Sequence, residues 1–439
     1  MTTLEEYTQF FKQFSGDSIG VSAVVPTSPF AAREMASEMA RRTGPRRVLE
    51  VGSGTGSIAA EVAQLLRPDD ELWLCEFNDD FIQFLHERVA TDSAFETVRE
   101  NVHIFSGSIL ELPNEATERQ FDFIISSLPF NSFPGEFVQQ VFDLYHKILK
   151  PAGSLSYIEY MGGRALKKLL SPDEAVSESN AITEGQMERY EIRKAPVLLN
   201  IPPAWIHHLR LSEAKPEDAQ QIINIPRDQI QAGDMTFDWD ALLFVGPLLA
   251  WAFMRKRLWP ALLAVPIALF FRDPKRNTER NEIDILAAGD GEVLEIATVQ
   301  EDELGEGEWL RIAVFLSITD VHVNRSPVSG RVQKVWHKQG RFEVASTPEA
   351  VHNESVYTLI ESLNGPVAVA QRVGAVARRV VNRTRSNALL VQGEKYGLMR
   401  FGSRIDVYIP AGKAEALVQV GQKVVGGETV LARYVHQVK

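Results

Sequence analysis

Residues 241–276 read ALLFVGPLLAWAFMRKRLWPALLAVPIALFFRDPKR, with a basic triplet at 255–257 between two apolar runs. Each run is shorter than the ~20 residues that a helix needs to cross the hydrocarbon of a bilayer. One continuous span would place the triplet at its centre, where each cation costs about 3 kcal/mol, against roughly half a kcal/mol gained per Leu, Ile or Phe. We therefore predict an apolar helical hairpin that lies in, or dips into, one leaflet, with residues 255–257 and 272–276 facing anionic headgroups. A buried helical pair in a soluble core is the alternative.

The composition of the whole chain limits its possible functions. Its 439 residues suit two or three domains, and its formal net charge of −12 argues against general nucleic-acid binding, because phosphate contacts need a basic surface. A single cysteine, Cys75, excludes an internal disulfide and a multi-cysteine metal site, and we predict no metal. The first residues, MTTLEEYTQFF, contain neither a basic segment nor a long apolar run. We therefore expect no signal peptide and a location on the cytoplasmic side of a membrane.

A glycine-rich turn stands out in the N-terminal half. Residues 46–61 read RRVLEVGSGTGSIAAE, in which an apolar start predicts a buried strand and residues 58–66 predict a helix. Gly52, Gly54 and Gly56 lie between them, where they permit a tight turn that approaches a ligand closely, next to the free N–H groups of a helix N-terminus. The spacing is GxGxG, whereas dinucleotide-binding proteins use GxGxxG.

Acidic residues stand on either side of this turn. Glu50 precedes it, and Glu76 ends the next predicted strand, about 20 residues after the last glycine, where a carboxylate can accept both ribose hydroxyls of a nucleoside. Together these residues resemble the class I methyltransferases, Rossmann-like α/β enzymes that use S-adenosylmethionine. The resemblance implies that the cofactor is bound by Glu50, Gly52, Gly54, Gly56 and Glu76.

Three further stretches indicate which group of methyltransferases the chain resembles. They are VVPTSPFAA at 24–32, FDFIISSLPFNSFP at 121–134 and NIPPA at 200–204. They resemble the N-terminal segment, the substrate-side loop and the last strand of bacterial phospholipid N-methyltransferases, which implies that Pro129 and Phe130 bind substrate. The Ser-Leu-Pro-Phe sequence also resembles a loop of RNA adenine dimethylases, but the acidic charge of the chain makes RNA the weaker alternative.

The methyl acceptor must be a neutral amine in line with the methyl group, and it develops positive charge during transfer. Tyr157, Glu159 and Tyr160 on the fifth predicted strand could stabilise that charge through aromatic faces and a carboxylate, with plain strand packing as the alternative. Ser108 departs from the pattern of the resembling family, which often places an aspartate there against the adenine amine. Adenine recognition could instead use Ile109 or backbone groups.

A polar segment at residues 212–233 predicts a linker. The sequence pattern of the C-terminal half differs from that of the N-terminal half. From residue 285 onward, short strands punctuated by Gly and Pro predict an all-β domain, a compact sandwich or barrel. The Ser329-Gly330 turn and the glycine-rich tail at 418–426 resemble biotinyl/lipoyl-type hammerheads. A carrier function would need an exposed lysine in a Met-Lys hairpin, which we do not find. We therefore expect a lipoyl/biotinyl-like barrel element without carrier function.

Three short elements of this β-domain contain residues suited to catalysis. They are AGDGEV with Asp290, FLSITDVHVNRSP with His322, and RFGSRID with Gly402 and Ser403. With the apolar hairpin and the FRDP sequence that follows it, they resemble, in the same order, phosphatidylserine decarboxylases of the short, archaeal-type form. The resemblance covers roughly residues 236–436. It implies self-cleavage between Gly402 and Ser403, which converts Ser403 into an N-terminal pyruvoyl group.

The implied chemistry is consistent with the residue types. Ser403 is a weak nucleophile unless a base accepts its proton, and His322 oriented by Asp290 would supply a triad. Attack on the Gly402 carbonyl converts the amide to an ester, and elimination and hydrolysis then leave a carbonyl that acts as the electron sink when CO2 leaves the lipid. Long-form relatives have a second histidine where this chain has Arg325. Either His322 serves both cleavage and decarboxylation, or Arg325 binds phosphate or carboxylate while another group protonates the product.

These features together predict a fusion of two enzymes. The expected parts are a methyltransferase domain, a linker, a membrane-associated hairpin and a decarboxylase domain, at residues 1–211, 212–235, 236–276 and 277–439. We expect the decarboxylase to convert phosphatidylserine to phosphatidylethanolamine, and the methyltransferase to methylate that amine. One alternative is a methyltransferase with a different amine acceptor; another is a membrane scaffold whose β-domain is never processed.

The self-cleaved chains, 1–402 and 403–439, should remain associated with each other. We expect a peripheral or monotopic protein on the cytoplasmic face of the cell membrane, in contact with phospholipids and not with nucleic acid. The sequence leaves open whether the protein forms a homo-oligomer, and how many methyl groups it adds.

Overall fold

The structure is a computed structural model that describes residues 27–162, 174–375, 379–400 and 403–435. The chain divides into two compact units, Met1–Ala214 and Lys215–Lys439. Residues 24–26 of the predicted N-terminal segment lie outside the described residues, and so does Gly402. In the part of the chain that is described, no helix is long and apolar enough to span a membrane.

The first unit is built on one sheet. Its strands are β1 (Arg47–Val51), β2 (Glu71–Glu76), β3 (Val102–Ser106), β4 (Phe121–Ser126), β5 (Leu149–Tyr160), β6 (Glu191–Val197) and β7 (Ala204–Leu209). They lie in the order β3-β2-β1-β4-β5-β7-β6; the first five pair in parallel, and β7 runs antiparallel to both of its neighbours. The carboxyl ends of the parallel strands share one edge, which is where ligands bind in such sheets.

Helices cover both faces of this sheet. They are α1 (Pro29–Met35), α2 (Ser37–Ala40), α3 (Ser57–Ala63), α4 (Asp79–Thr91), α5 (Asn114–Thr117), α6 (Gly135–Ile148) and α7 (Glu174–Tyr190), with 3₁₀ turns at Ser93–Phe95, Arg99–Asn101, Ile109–Glu111 and Phe130–Ser132. Strand β1 is buried along its whole length. Its Val48 packs in one core with α1, α3 and α4, and its Leu49 packs in a second core with α6. The sequence therefore predicts the Rossmann-like fold correctly.

Two element boundaries differ from the sequence expectation. The helix after the glycine turn ends at Ala63 and not at residue 66. The last strand begins at Ala204, so most of the NIPPA sequence forms the turn between β6 and β7. Pro202 and Pro203 lack the N–H group that a strand ladder needs, which explains why the strand starts after them.

The second unit is mainly β, as the sequence predicts. Its strands are β8 (Gln229–Ala232), β9 (Met235–Asp238), β10 (Asp284–Leu286), β11 (Gly291–Gln300), β12 (Glu308–Leu316), β13 (Val323–Arg325), β14 (Gly330–Lys338), β15 (Ser355–Ser362), β16 (Gly365–Arg372), β17 (Arg379–Asn382), β18 (Leu389–Leu390), β19 (Lys395–Arg400), β20 (Ser403–Pro410), β21 (Ala414–Ala416), β22 (Lys423–Val424) and β23 (Val430–Tyr434). Short 3₁₀ turns occur at Pro216–Gln221, Asp302–Leu304 and Pro348–His352. The predicted linker thus contains a 3₁₀ turn and strand β8.

These strands form one large and several small sheets. The large sheet has the order β18-β14-β15-β16-β20-β12-β11-β22, and the small ones are β10-β23-β21, β13-β19-β17 and the β8-β9 pair. Strand β20 is an inner strand of the large sheet, hydrogen-bonded to β12 on one side and β16 on the other. Strand β19 belongs to the small sheet with β13 and β17, so the chain changes sheets between Arg400 and Ser403.

Two helices form the apolar stretch, α8 (Ala241–Arg255) and α9 (Trp259–Phe270). They contact each other near their connection, and their base is buried in an apolar cluster with a side chain of β19. Near the connection the side chains are open to solvent: Phe253 is 85% and Leu258 82% exposed. This exposure does not fit the alternative of a buried helical pair.

Candidate active sites

The turn after β1 has the conformation that its glycines require. Gly52, Gly54 and Gly56 have φ values of 78°, 52° and 76°, in the left-handed region that favours glycine. A Cβ on Gly56 would lie 2.9 Å from Leu85 Cδ2, whereas a Cβ on Gly54 would meet nothing within 4 Å. The backbone at Gly54 therefore borders open space, where a ligand can approach it closely.

Glu76 ends β2 and lies against this turn. Its Oε2 accepts a hydrogen bond from Gly54 N at 2.7 Å, and its Oε1 accepts hydrogen bonds from Phe77 N at 2.8 Å and Asn78 N at 2.9 Å. Three backbone donors therefore fix the carboxylate at the carboxyl edge of the sheet. That is the position from which an acidic residue can bind the ribose of a nucleoside.

Glu50 is completely buried in β1. Neither of its carboxylate oxygens has a hydrogen-bond partner among the described residues. Burial, reinforced by the charge of Glu76, raises the pKa of Glu50 well above its ordinary value. A buried carboxylate in this state is destabilising, and a cationic group bound beside the glycine turn would stabilise it. The α-ammonium group of S-adenosylmethionine has the charge and the donors that Glu50 lacks, so the residues present fit this cofactor.

Two aromatic residues of the predicted acceptor site belong to the core. Phe130 is completely buried, and its ring lies 5.0 Å from that of Phe142 and 5.1 Å from that of Tyr157. Tyr157 is buried in the same cluster, where aromatic pairs stabilise the packing. The complete burial of Phe130 does not fit its predicted contact with substrate, whereas the contact predicted for Tyr157, which is 5% exposed, stays a prediction. Pro129, in the same loop, is exposed.

Ser108 has a local structural role. It precedes the 3₁₀ turn Ile109–Glu111, and its Oγ accepts a hydrogen bond from Leu110 N at 3.3 Å. Its own N–H donates to Glu111 Oε2 at 3.2 Å. This reciprocal capping explains a serine at this position without any contact to a cofactor.

Glu159 and Tyr160, at the end of β5, are more accessible to solvent than Phe130 and Tyr157. Tyr160 is half-buried, and this burial raises the pKa of its hydroxyl. Glu159 Oε2 lies 3.2 Å from His207 Nε2 on the neighbouring strand β7, and the other ring nitrogen of His207 contacts Glu191. Glu159 and Tyr160 therefore place polar groups at the same sheet edge as the glycine turn.

In the second unit, Ser403 is the first residue of β20 and lies opposite Leu316 of β12. Its side chain is completely buried, and its hydroxyl has no hydrogen-bond partner among the described residues. Buried hydroxyls nearly always have a partner, because leaving one unsatisfied costs about 1–3 kcal/mol. Ser403, at the predicted cleavage position, is one of the few such exceptions among the described residues, with Ser53, Ser154, Thr384 and Tyr396.

His322 is buried directly before β13. Its Nδ1 lies 2.9 Å from the Asp320 carbonyl oxygen. Since a carbonyl can only accept, Nδ1 carries the proton, and Nε2 is the basic nitrogen of the neutral ring. The ring of Phe270, the last residue of α9, lies 4.3 Å from the imidazole. Burial lowers the pKa of His322 to about 4, so the ring is neutral at physiological pH.

The predicted pairing of Asp290 with His322 is wrong. Asp290 accepts hydrogen bonds from Arg276 Nη2 at 2.8 and 2.9 Å and from Gly426 N at 2.8 Å. Both partners lie far from the motif in sequence, so motif spacing could not reveal them. The group that orients the imidazole is the Asp320 carbonyl, which we did not predict; its signal was the position of Asp320, two residues before His322.

Arg325 forms a buried ion pair. Its guanidinium contacts the Asp273 carboxylate and donates to the Gly393 and Pro274 carbonyl oxygens at 3.2 and 3.3 Å. Burial lowers the pKa of Arg325, although the Asp273 charge opposes the shift. Lys395 lies 3.1 Å from the other oxygen of Asp273. Arg325 thus anchors the FRDP sequence, which does not fit its predicted role in substrate binding.

Known proteins similar to this chain establish its family. Residues 264–432 match the family model described as phosphatidylserine decarboxylase. The phosphatidylserine decarboxylase proenzyme of Azorhizobium caulinodans is 43% identical over 176 residues, which span 39% of this chain and 75% of that protein. The chain belongs to the phosphatidylserine decarboxylase family.

This decarboxylase is fused to a methyltransferase domain, because residues 48–153 match the family model of that description. Similar solved structures include an O-methyltransferase from Bacillus cereus, 15% identical, which covers 48% of this chain and 91% of its own, with a TM-score of 0.35. Another is an O-methyltransferase from Streptomyces achromogenes, 18% identical, which covers 48% of this chain and 90% of its own, with a TM-score of 0.32. At these scores the two likenesses support no further argument. The predicted fusion is confirmed by the two family matches.

The phosphatidylserine decarboxylase match contains the residues that sequence motifs singled out. Ser403, His322 and Asp290 all lie within residues 264–432. The match begins inside α9, so Phe270 is included and α8 precedes the matched range. The roles predicted for Ser403 and His322 stay predictions; the contact between Phe270 of the apolar stretch and His322 is one that the motifs did not indicate.

Proposed function

We propose that this chain decarboxylates phosphatidylserine with a pyruvoyl group derived from Ser403, and methylates the resulting phosphatidylethanolamine with S-adenosylmethionine. The observation that carries the first activity is the Ser403 hydroxyl, which is buried, directly follows Gly402 in sequence and has no hydrogen-bond partner in the part of the chain that the structure describes. The second activity is supported by the buried Glu50 carboxylate beside the glycine turn. The two chemistries are consecutive, and tethering in one chain raises the concentration of the intermediate near the second site.

Self-cleavage begins when Ser403 Oγ attacks the Gly402 carbonyl carbon and gives its proton to His322. The amide bond between these residues breaks as an ester bond forms, which moves the acyl group from nitrogen to oxygen. Loss of the Cα proton of residue 403 then expels the Gly402 carboxylate. Addition of water and loss of ammonia leave a carbonyl at residue 403. Once formed, this carbonyl supplies an electron sink for loss of CO2.

His322 is prepared for the first proton transfer. Burial keeps its ring neutral, and the Asp320 carbonyl fixes the tautomer in which Nε2 is basic. A pKa near 4 means that the imidazolium holds its proton weakly. The proton can therefore pass on to the departing backbone nitrogen of Ser403, which must gain one as the amide bond breaks.

In the methyltransferase domain, Glu76 would bind the ribose hydroxyls and Glu50 the ammonium group of S-adenosylmethionine. The open space at Gly54 lets the backbone approach the cofactor. S-adenosylmethionine supplies an electrophilic methyl group when it is bound. Glu159 and Tyr160 lie at the same edge of the sheet and are suited to hold the ethanolamine nitrogen and to accept its proton.

The apolar hairpin supports a phospholipid surface as the partner. Phe253 and Leu258 are 85% and 82% exposed, and the basic triplet 255–257 between the helices is exposed as well. Inserting that triplet into hydrocarbon would cost about 3 kcal/mol per cation, so we propose that the hairpin lies along the interface. The protein would then be peripheral or monotopic on the cytoplasmic face. We also propose that β21 to β23 form the lipoyl/biotinyl-like element.

The test uses the purified protein on anionic vesicles that contain phosphatidylserine, with S-adenosylmethionine added. We expect two chains of denatured mass 1–402 and 403–439, the second with a blocked N-terminus, and methylated ethanolamine lipid in the vesicles. The Ser403→Ala variant is the control: it should stay intact, and it should methylate phosphatidylethanolamine when that lipid is supplied directly.

Each rival function predicts a different result of this test. Decarboxylation without any methylated ethanolamine lipid, even with phosphatidylethanolamine supplied, would mean that the methyltransferase acts on another amine. A single intact wild-type chain without a carbonyl group would mean that the β-domain is an unprocessed scaffold. Either result would contradict the proposed sequence of reactions.

A further inference from the structure

A chain of three side-chain amide groups connects the two sheets between which the cleavage position lies. Gln371 in β16 belongs to the large sheet, where it pairs with Ile405 of β20. Asn324 in β13 and Asn382 in β17 belong to the small sheet, where both pair with Gly397 of β19. Gln371 and Asn324 are completely buried.

The Gln371 amide lies above Gly397, between the two asparagines. Its Nε2 donates to Asn324 Oδ1 at 2.5 Å, and its Oε1 accepts from Asn382 Nδ2 at 3.1 Å. A Cβ on Gly397 would lie 3.3 Å from Gln371 Nε2 and would collide with a backbone carbonyl of β17. Glycine at position 397 therefore leaves the space that this amide occupies.

The direction of the hydrogen bonds is fixed at both ends by the backbone. At one end, Thr384 N, which can only donate, lies 3.1 Å from Asn382 Oδ1. At the other end, Asn324 Nδ2 lies 3.4 Å from the His322 carbonyl oxygen, which can only accept. Each amide between them must therefore accept on the Thr384 side and donate on the His322 side. None of the three can flip without losing a partner.

This amide chain connects the backbone of His322 to the strand that begins with Ser403. The His322 carbonyl receives the last N–H of the chain together with the backbone N–H of Met399, three residues before Gly402. On the other side, Gln371 pairs with Ile405, two residues after Ser403, so their side chains share one face of the sheet. The chain changes sheets between these two fixed points.

We propose that Gln371, together with Asn324 and Asn382, is a positioning residue that sets the distance between His322 and Ser403 for self-cleavage. This inference rests on the proposed function, because it assigns His322 as the base. Loss of the Gln371 amide should leave both sheets folded but free to shift against each other. The proton transfer from Ser403 should then slow, since it requires hydrogen-bond distance between the two groups.

The experiment measures how fast the newly made full-length chain splits at 402/403, by pulse labelling in cell-free synthesis and denatured mass. Gln371→Met should slow splitting at least tenfold. The matched control is Gln392→Met, which removes another buried glutamine amide, one that donates to the Asp284 and Pro327 carbonyls. It should lower the melting temperature by a similar amount and slow splitting less than twofold. Equal slowing by both variants would overturn the positioning role.

A second variant, Gln371→Glu, keeps the inference testable if the methionine variant folds poorly. A carboxylate accepts from Asn382 but cannot donate to Asn324, whereas the protonated acid can do both. Splitting of this variant should therefore speed up as the pH falls from 8 to 5, opposite to any loss caused by protonation of His322. A rate that does not rise would overturn the inference.

The wild-type chain separates this inference from the function on which it rests. An intact wild-type chain would overturn the proposed function and the positioning role with it. A wild-type chain that splits no faster than Gln371→Met would overturn the positioning role alone.

Discussion

Each unit of the protein contains a buried polar side chain without a partner among the described residues, and the two differ in kind. Glu50 is a carboxylate whose pKa stays raised by burial although the charge of Arg88 opposes the shift, so a further cation would stabilise its charged form. Ser403 is a neutral hydroxyl beside the peptide bond that it is proposed to attack. Under the proposed function, the buried carboxylate serves reversible binding of a ligand, whereas the buried hydroxyl serves a single reaction of the chain with itself.

The largest expected effect is the loss of self-cleavage when the Ser403 hydroxyl is removed. Ser403→Ala removes the nucleophile, so the chain should stay intact and decarboxylation should be undetectable. The melting temperature of the variant should not fall, because the lost hydroxyl has no hydrogen bond to any of the described residues. Denatured mass, carbonyl titration and thermal unfolding would measure these outcomes. Normal splitting in this variant would show that Ser403 is not the nucleophile.

The Glu50→Gln variant tests whether the buried carboxylate binds the cofactor. The neutral amide loses a charge-assisted contact with the cofactor, so the Kd for S-adenosylmethionine should rise about thirtyfold, equivalent to roughly 2 kcal/mol. Isothermal titration would measure it. Splitting at 402/403 serves as the control and should not change. An unchanged Kd would mean that Glu50 does not face the cofactor.

The same variant should stabilise the protein without cofactor at high pH. The raised pKa of Glu50 means that its protonated form stabilises the fold. This contribution is fully present below the ordinary carboxyl pKa and is lost as the pH rises through the raised value. The gain in melting temperature of Glu50→Gln over the wild type should therefore be larger at pH 8 than at pH 5. An equal gain at both pH values would contradict the raised pKa.

The pH dependence of self-cleavage tests the environment of Ser403. His322 must be neutral to accept a proton, and burial lowers its pKa from 6.5 to about 4. The splitting rate should therefore stay constant from pH 8 to pH 5 and fall to half near pH 4. Phe270→Ala would let water reach the ring and move this midpoint toward 6.5. Phe271→Ala, which removes a buried neighbour, is the matched control and should leave the midpoint in place.

The smallest expected effect concerns the apolar hairpin. Replacing Phe253 and Leu258 with serine should weaken binding to anionic vesicles about fivefold, because each large apolar side chain contributes about 0.5 kcal/mol at the bilayer. Splitting should not change, since both residues lie away from the buried base of the hairpin. Leu198 and Leu199, exposed by 58% and 67%, provide a matched serine pair in the other unit. An equal loss from that pair would contradict a special role of the hairpin.

Local sequence was sufficient to predict those parts of the two sites that depend on neighbouring residues. The glycine turn follows from positions that need positive φ, and Glu76 follows from the end of the next strand. The motifs around Ser403 and His322 are contiguous, so both residues could be singled out from the sequence, although their predicted roles remain to be tested.

The errors arose where partners come from distant parts of the chain. Asp290 was assigned to His322, but Arg276 occupies it, and a long-range approach of this kind leaves no trace in spacing. Phe130 lies in the predicted substrate loop, yet its ring turns into the core against Phe142. The amide chain through Gln371 joins three strands from different places in the sequence, so no local pattern could predict it.

The position of β20 inside the large sheet has a consequence for the mature protein. The fragment that begins at Ser403 keeps ladder hydrogen bonds to β12 and β16, and it also supplies β22 of the large sheet and β21 and β23 of a small sheet. After cleavage the enzyme would be an obligate heterodimer, in which dissociation and unfolding are the same event. Its melting temperature should rise with protein concentration, unlike that of the uncut precursor. The elimination step removes the bond between residues 402 and 403 for good. The fold is assembled from a single chain, so the two separated fragments would not regain it after one cycle of heating.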